Sequence, residues 1–170
     1  MSAPAIESRR TFDAVAVGDE LGALVCGPLT SLHLMRFSAA IENWHRIHYD
    51  ERFAIGHDGL PGLLISGSFK QHAVARMLRG WAGRGGWLVS LSLQFRRMNV
   101  VGETLTIWGT VTGLDAGAGY GLVSCRIGVL NEHGVESSPG AAEVALPLTT
   151  DDPPITGWPP RSTPSPASRR

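Results

Sequence analysis

The sequence predicts an α+β domain in which one long amphipathic helix precedes a four-stranded antiparallel meander. Two observations carry this expectation. From residue 66 the apolar positions Phe69, Ala73, Val74, Met77, Leu78 and Trp81 follow a 3.6-residue spacing, so this helix lies against something large. After residue 86 the period changes. The runs 86–97, 103–114, 119–130 and 135–148 are rich in Val, Leu, Thr and Ile, and the turn-forming stretches 99–102, 115–119 and 131–134 separate them. A long helix followed by strands able to wrap it is an α+β arrangement.

The remaining elements follow in order. Residues 1–11 are small, polar and basic, and are expected to be flexible. Residues 20–30 alternate weakly and read as a strand. Thr30 or Ser31 can cap a helix over 32–42, with Leu32, Leu34, Phe37 and Ile41 near one face. Residues 43–62 read as loop with one short helical turn around 50–54. The long helix is expected over 66–79, stopped by Gly80. Residues 149–170 hold six of the eleven prolines together with Ser, Thr and Arg, a composition that buries little; this predicts a disordered tail in which Trp158 is the one residue suited to docking. The folded unit is therefore expected over 12–148.

At 170 residues the chain suffices for one domain with a substantial core and is short for two. Fifteen basic and fifteen acidic residues give a formal net charge of zero, so no overall field draws the chain to nucleic acid or to an anionic membrane. Cys26 and Cys125 lie in apolar, strand-like surroundings and are expected as buried free thiols, since two cysteines make no disulfide framework in a chain of this size. The N-terminus lacks the apolar core of a signal peptide, and no apolar run approaches the roughly 18 residues of a membrane span. The expectation is a soluble cytoplasmic protein.

Chemistry is densest in Asn43-Trp44-His45-Arg46-Ile47-His48-Tyr49-Asp50, which sets a carboxamide, two imidazoles, a guanidinium and a carboxylate between apolar segments. Histidine titrates nearest neutral pH, so His48 and His45 are the candidate proton carriers, against the plainer reading of histidines that brace a loop. Their i, i+3 spacing also suits helical metal ligands, but a third ligand in matching context is missing, and neither metal nor cofactor is expected. Arg46 and Asp50 are expected to pair and shape the loop. Trp44 and Tyr49 read as packing residues.

This order of elements, with these residues in it, resembles the hot-dog fold of the MaoC-like hydratases and dehydratases over most of 12–148. In the (R)-specific enoyl-CoA hydratases an Asp is followed five residues later by a His, an apolar residue and another Asp. Asn43, His48, Tyr49 and Asp50 occupy that frame, and Ser66-Gly67 stand where His-Gly opens the central helix. The segments 91–95 and 100–105 are also similar. The chain is closer still to the type 2 3-hydroxyacyl-thioester dehydratases and mesaconyl-CoA hydratases, whose loop reads Asn-x-His-Arg-Ile-His-Tyr-Asp before a Gly-Tyr-Pro-Gly-Leu-like turn. Residues 43–50 and 59–63 match that pattern nearly throughout.

The resemblance implies a curled antiparallel sheet around the central helix, a dimer with acyl tunnels between protomers, and reversible hydration of an enoyl thioester of CoA or an acyl carrier protein. A mesaconyl-type substrate falls within that range. His48 would be the general base, Gly67 the backbone donor to the thioester carbonyl with Ser66 beside it, and Asn43 the group that orients water. His45 would be a second titrating group, and Arg46, if unpaired, would meet a substrate carboxylate. The chain departs from the hydratase pattern at Asn43 (Asp there), Ser66 (His) and Ala75 (often Ser). Those departures motivate a second reading, a catalytically silent hot-dog subunit in a heteromer. A hot-dog thioesterase would place a carboxylate on or next to the central helix, and residues 66–80 contain none.

Overall fold

A computed structural model describes residues 9–117 and 119–158. Five strands, β1 (Leu24–Cys26), β2 (Trp87–Leu93), β3 (Leu105–Ala116), β4 (Gly121–Leu130) and β5 (Glu136–Leu146), form one antiparallel sheet in the order β1-β3-β4-β5-β2. Three α-helices, α1 (Ser31–Ala40), α2 (Glu51–Gly56) and α3 (Gly67–Ala82), accompany it. α3 touches all five strands, so the sheet curls around it as a hot-dog fold. The expected meander is β2 to β5, with one rearrangement in space: β2 lies at the edge, beside β5.

The wrapping follows from period-two burial. β3 turns Leu105, Ile107 and Val111 inward, β4 turns in Val123, Cys125, Ile127 and Val129, and β5 turns in Ala142, Val144 and Leu146. Against them α3 lays Ala73, Val74, Met77, Leu78 and Trp81. Each such large apolar side chain contributes about 1.5–3 kcal/mol when fully buried. Pro139 is tolerated inside β5 because its carbonyl accepts from Gln94 N at 2.9 Å just past the end of β2, where a missing N–H breaks no ladder.

Several boundaries differ from the sequence expectation. α3 does not stop at Gly80. Trp81 and Ala82 continue its buried stripe, and the helix ends before Gly83, whose φ of 68° is the left-handed conformation glycine adopts freely. Only Leu24–Cys26 of the expected strand over 20–30 forms a ladder, because Gly22, Gly27 and Pro28 punctuate the run. On α1 the buried line is Leu34 and Ser38, one turn apart, whereas Leu32 and Ile41 are exposed. The short turn expected near 50–54 is α2, capped by Asp50, whose Oδ1 accepts from Phe53 N.

The packed chain also runs past both expected limits of the folded unit. Arg10 Nε donates to Trp81 O at 2.9 Å and Thr11 is buried. At the other end Ile155 is buried with its N–H on Gly85 O, and Trp158 meets Tyr120 edge-on at 5.1 Å. The rest of the flexible termini expected from sequence, residues 1–8 and 159–170, lies outside the described residues. Cys26 and Cys125 are both free and buried, and burial pushes the Cys125 thiol up to about 11. Among the described residues no helix is long and apolar enough to cross a membrane.

Candidate active site

The motif loop joins α1 to α2 and is built from short-range bonds. Asn43 N donates to Ser38 O at 2.9 Å, closing the end of α1, and Asn43 Oδ1 accepts from His45 N at 3.3 Å. Residues Arg46–His48 make one 3-10 turn. Tyr49 Oη donates to Trp44 O at 2.9 Å and braces the loop, whereas the Trp44 side chain, expected to pack, is exposed.

His48 is the anchored imidazole. Its Nδ1 lies 2.9 Å from Leu64 O. A carbonyl only accepts, so Nδ1 carries the proton, and in the neutral ring Nε2 keeps its lone pair. The bond is doubled by the backbone, where Leu64 N donates to Ile47 O at 3.0 Å. The His45 ring stands 6.0 Å from the His48 ring, tilted by 54°, and is exposed. Asn43, His45 and His48 thus share one loop, and only His48 is tied to the body of the protein.

That tie leads to the helix. Residues 63–65 run between the loop and the segment before β3: Val101 N donates to Leu63 O, and Ile65 N to Asn99 O, both at 2.9 Å. Two residues later α3 begins. Ser66 is its cap, with Oγ accepting from Phe69 N at 3.1 Å, so this buried hydroxyl serves the helix end. Gly67 occupies the first helical position, where an N–H has no partner within the helix. A Cβ there would come within 2.9 Å of the Phe95 ring, so a larger residue would displace that ring.

Leu64 and Gly67 both line a cavity of about 760 Å³, together with Lys70, Phe95, Arg97 and Met98 among others. Gly67 and Leu64 therefore border one space, whereas Asn43, His45 and His48 are not among its lining residues. Arg46 is turned elsewhere. Its Nε and Nη2 donate to Asp50 Oδ2 at 3.1 and 2.8 Å, and its guanidinium lies 4.1 Å from the centre of the Phe53 ring. The Arg46 bonds, with help from Phe53 N, hold the Asp50 carboxyl below its usual range. The pairing expected from i, i+4 spacing is present, and it occupies Nε and Nη2 of Arg46.

Sequence reasoning overlooked two groups beside this cavity. One is the Leu64 carbonyl, a backbone atom that no side-chain pattern announces. The other is Lys70, buried on α3 with Nζ donating to Arg97 O at 3.1 Å and to Ser138 Oγ at 3.4 Å. Its signal was present: Lys70, Val74, Met77 and Trp81 lie on one helical stripe, so the chain's one lysine stands in an apolar row.

Residues 25–103 match the family model described as hydroxyacyl-thioester dehydratase type 2. No curated protein matches the sequence. Among solved structures the chain is similar to the (R)-hydratase from A. caviae involved in PHA biosynthesis, with 21% identity over 79% of this chain and 98% of that one and a TM-score of 0.69. It is likewise similar to an unliganded R-hydratase from Pseudomonas aeruginosa, at 18% identity, 90% and 96% coverage and a TM-score of 0.73. For the ChsH1-ChsH2 complex from Mycobacterium tuberculosis the values are 20%, 77% and 98%, and 0.68. At such identities these likenesses speak for the fold, and the matched segment spans the motif loop, the cap and α3. The chain thus has the hot-dog fold of these solved hydratases, and residues 25–103 are similar to the type 2 hydroxyacyl-thioester dehydratases.

Proposed function

We propose that the protein catalyses reversible hydration of a 2-enoyl thioester, carried on CoA or an acyl carrier protein. The observation that carries this reading is the His48 Nδ1–H bond to Leu64 O, which leaves Nε2 as the atom able to take a proton. Water gives a proton to Nε2 as its oxygen bonds to C3. The electron pair of the C2–C3 double bond moves toward the thioester, and the Gly67 N–H at the positive end of α3 donates to the carbonyl oxygen as enolate charge develops. The proton held on His48 then passes to C2. Dehydration runs the same steps backward.

Asn43 cannot accept a proton as the usual Asp would, so His48 acts as a single base, with Asn43 and His45 shaping the water's position. Arg46 is held by Asp50, which argues against a substrate carboxylate at that residue. Because β2 leaves one side of its backbone unpaired at the sheet edge, a second copy or a related subunit joined there supplies the other half of the acyl tunnel.

The test is loss of enoyl absorbance when purified protein meets crotonyl-CoA, with His48→Ala in parallel. The expected outcome is turnover by the parent that falls about 100-fold or more in the variant, the typical scale of general acid–base catalysis. The silent-subunit reading draws on the Asn43 carboxamide oxygen, which is already engaged by His45 N–H. A folded parent with no turnover on short- or medium-chain enoyl-CoA would favour it.

A further inference from the structure

We propose that Lys70 selects acyl chains that end in a carboxylate. With the thioester carbonyl at Gly67, the distal carboxylate of the same acyl group is held by Lys70 Nζ. This rests on the thioester reading of the cavity given above and names the substrate class within it.

Lys70 is 2% exposed, yet it lines the cavity that holds Gly67. An ammonium has three N–H donors, and this one meets two acceptors, both neutral: Arg97 O at 3.1 Å and Ser138 Oγ at 3.4 Å. Among the described residues no carboxylate pairs with it. Glu103 is the acid whose charge it feels, but the two Glu103 oxygens accept from Asn99 Nδ2 at 2.7 Å and from Val100 N at 2.8 Å. Burying a cation without a counter-ion is costly, and packing alone would be met by an apolar residue such as its stripe neighbours Val74 and Met77. The cavity lining itself contains three cations, Lys70, Arg96 and Arg97, and no acid. Burial holds Lys70 down to about 8, which still leaves it mainly cationic at neutral pH.

The spacing decides which anion fits. Gly67 and Lys70 are three residues apart on one helix, about 4.5 Å along its axis. An anion touching Lys70 while the thioester sits at Gly67 is therefore only a few bonds from that thioester. The far carboxylate of a short dicarboxylic acyl group meets this condition. The phosphates of a CoA or carrier arm are separated from the thioester by the whole pantetheine chain, too far to meet Lys70 while the thioester sits at Gly67.

The experiment is calorimetric titration with two saturated thioesters that cannot be hydrated, pentanoyl-CoA and glutaryl-CoA, and with free CoA. The two acyl chains differ only in ending in a methyl group or a carboxylate. The parent is expected to bind glutaryl-CoA about 10-fold or more tightly than pentanoyl-CoA, the scale of one charge-assisted hydrogen bond. Lys70→Met is expected to abolish that gap and leave pentanoyl-CoA unchanged. Lys70→Gln serves the same purpose should the Met variant not fold, and the gap in the parent is read with no variant at all. Equal binding of the two thioesters by the parent overturns the proposal, as does a gap that survives in the variant. Equal weakening of both thioesters and of free CoA also overturns it, because Lys70 would then serve the CoA arm. Selective binding without turnover of any enoyl thioester would sink the hydratase reading and leave this assignment standing.

Discussion

The loop over 43–58 and the helix α3 differ in what holds them. The loop is tied by polar bonds between near neighbours: Asn43 to His45, Tyr49 to Trp44, Arg46 to Asp50, and Asp50 to Phe53. α3 is held by apolar side chains that meet strands far away in sequence. Two long-range bonds, His48 Nδ1 to Leu64 O and Leu64 N to Ile47 O, join the loop's chemistry to the body that α3 anchors. The contrast teaches that fold and chemistry are separable by mutation here. Burial sets whether the chain folds, and a few polar ties set where an imidazole nitrogen stands.

The largest effect is expected on the core side. Leu78 is fully buried at the centre of the α3 stripe, and Leu78→Ala is expected to remove about 2–5 kcal/mol of stability, read from urea midpoints. A loss below about 1 kcal/mol would mean that α3 is not the keystone described. On the loop side, His48→Ala should cost only about 1 kcal/mol of stability, the worth of one hydrogen bond, while removing the 100-fold or more of turnover expected above. Collapse of the fold with that substitution would erase the distinction between the two regions.

Lys70 is the polar exception inside the apolar region. Its folded-state pKa, about 8, is lower than the ordinary 10.5, so folding disfavours its charged form. Between pH 8 and 10.5 the unfolded chain binds the extra proton, and this group therefore makes stability rise with pH. Below pH 8 the penalty is complete. Lys70→Met is expected to stabilise the protein at pH 7 by roughly 1 kcal/mol or more, with the gain shrinking as pH climbs through 8 toward 10.5. A variant less stable than its parent across that range would contradict the burial argument.

The smallest effect belongs to Asp50, an exposed carboxylate. The Arg46 bonds lower its pKa below 3.8, so its contribution is present above the unfolded value and fades as pH falls through the folded one. Asp50→Asn should lower the melting temperature slightly at pH 6, and the difference should close below about pH 3.8. A difference that persists in acid would show that the effect does not rest on the carboxylate's charge.

These contrasts also explain what was legible in the chain. The α3 stripe and the four long strands were readable because burial imposes periods of 3.6 and 2 on side chains. The Arg46–Asp50 pair was readable from i, i+4 spacing. Gly80 misled because a glycine looks like a stop, although Trp81 and Ala82 continue the stripe behind it. His48 and Gly67 stood out by motif, yet the Leu64 carbonyl that settles the His48 tautomer leaves no trace in side-chain chemistry. The family frame placed Ser66 beside the Gly67 amide. Its position three residues before the Phe69 amide already allowed the helix cap it forms.

The segment 63–65 is bonded on both flanks, to Ile47 and His48 on one side and to Asn99 and Val101 on the other. In extended backbone, successive carbonyls face opposite ways. A residue added within 57–62 lengthens a spacer and leaves that alternation intact. One added within 63–65 presents the next carbonyl to the wrong flank and leaves His48 without its acceptor. Drift in chain length is therefore open to the turn before Leu63 and closed to the three residues after it.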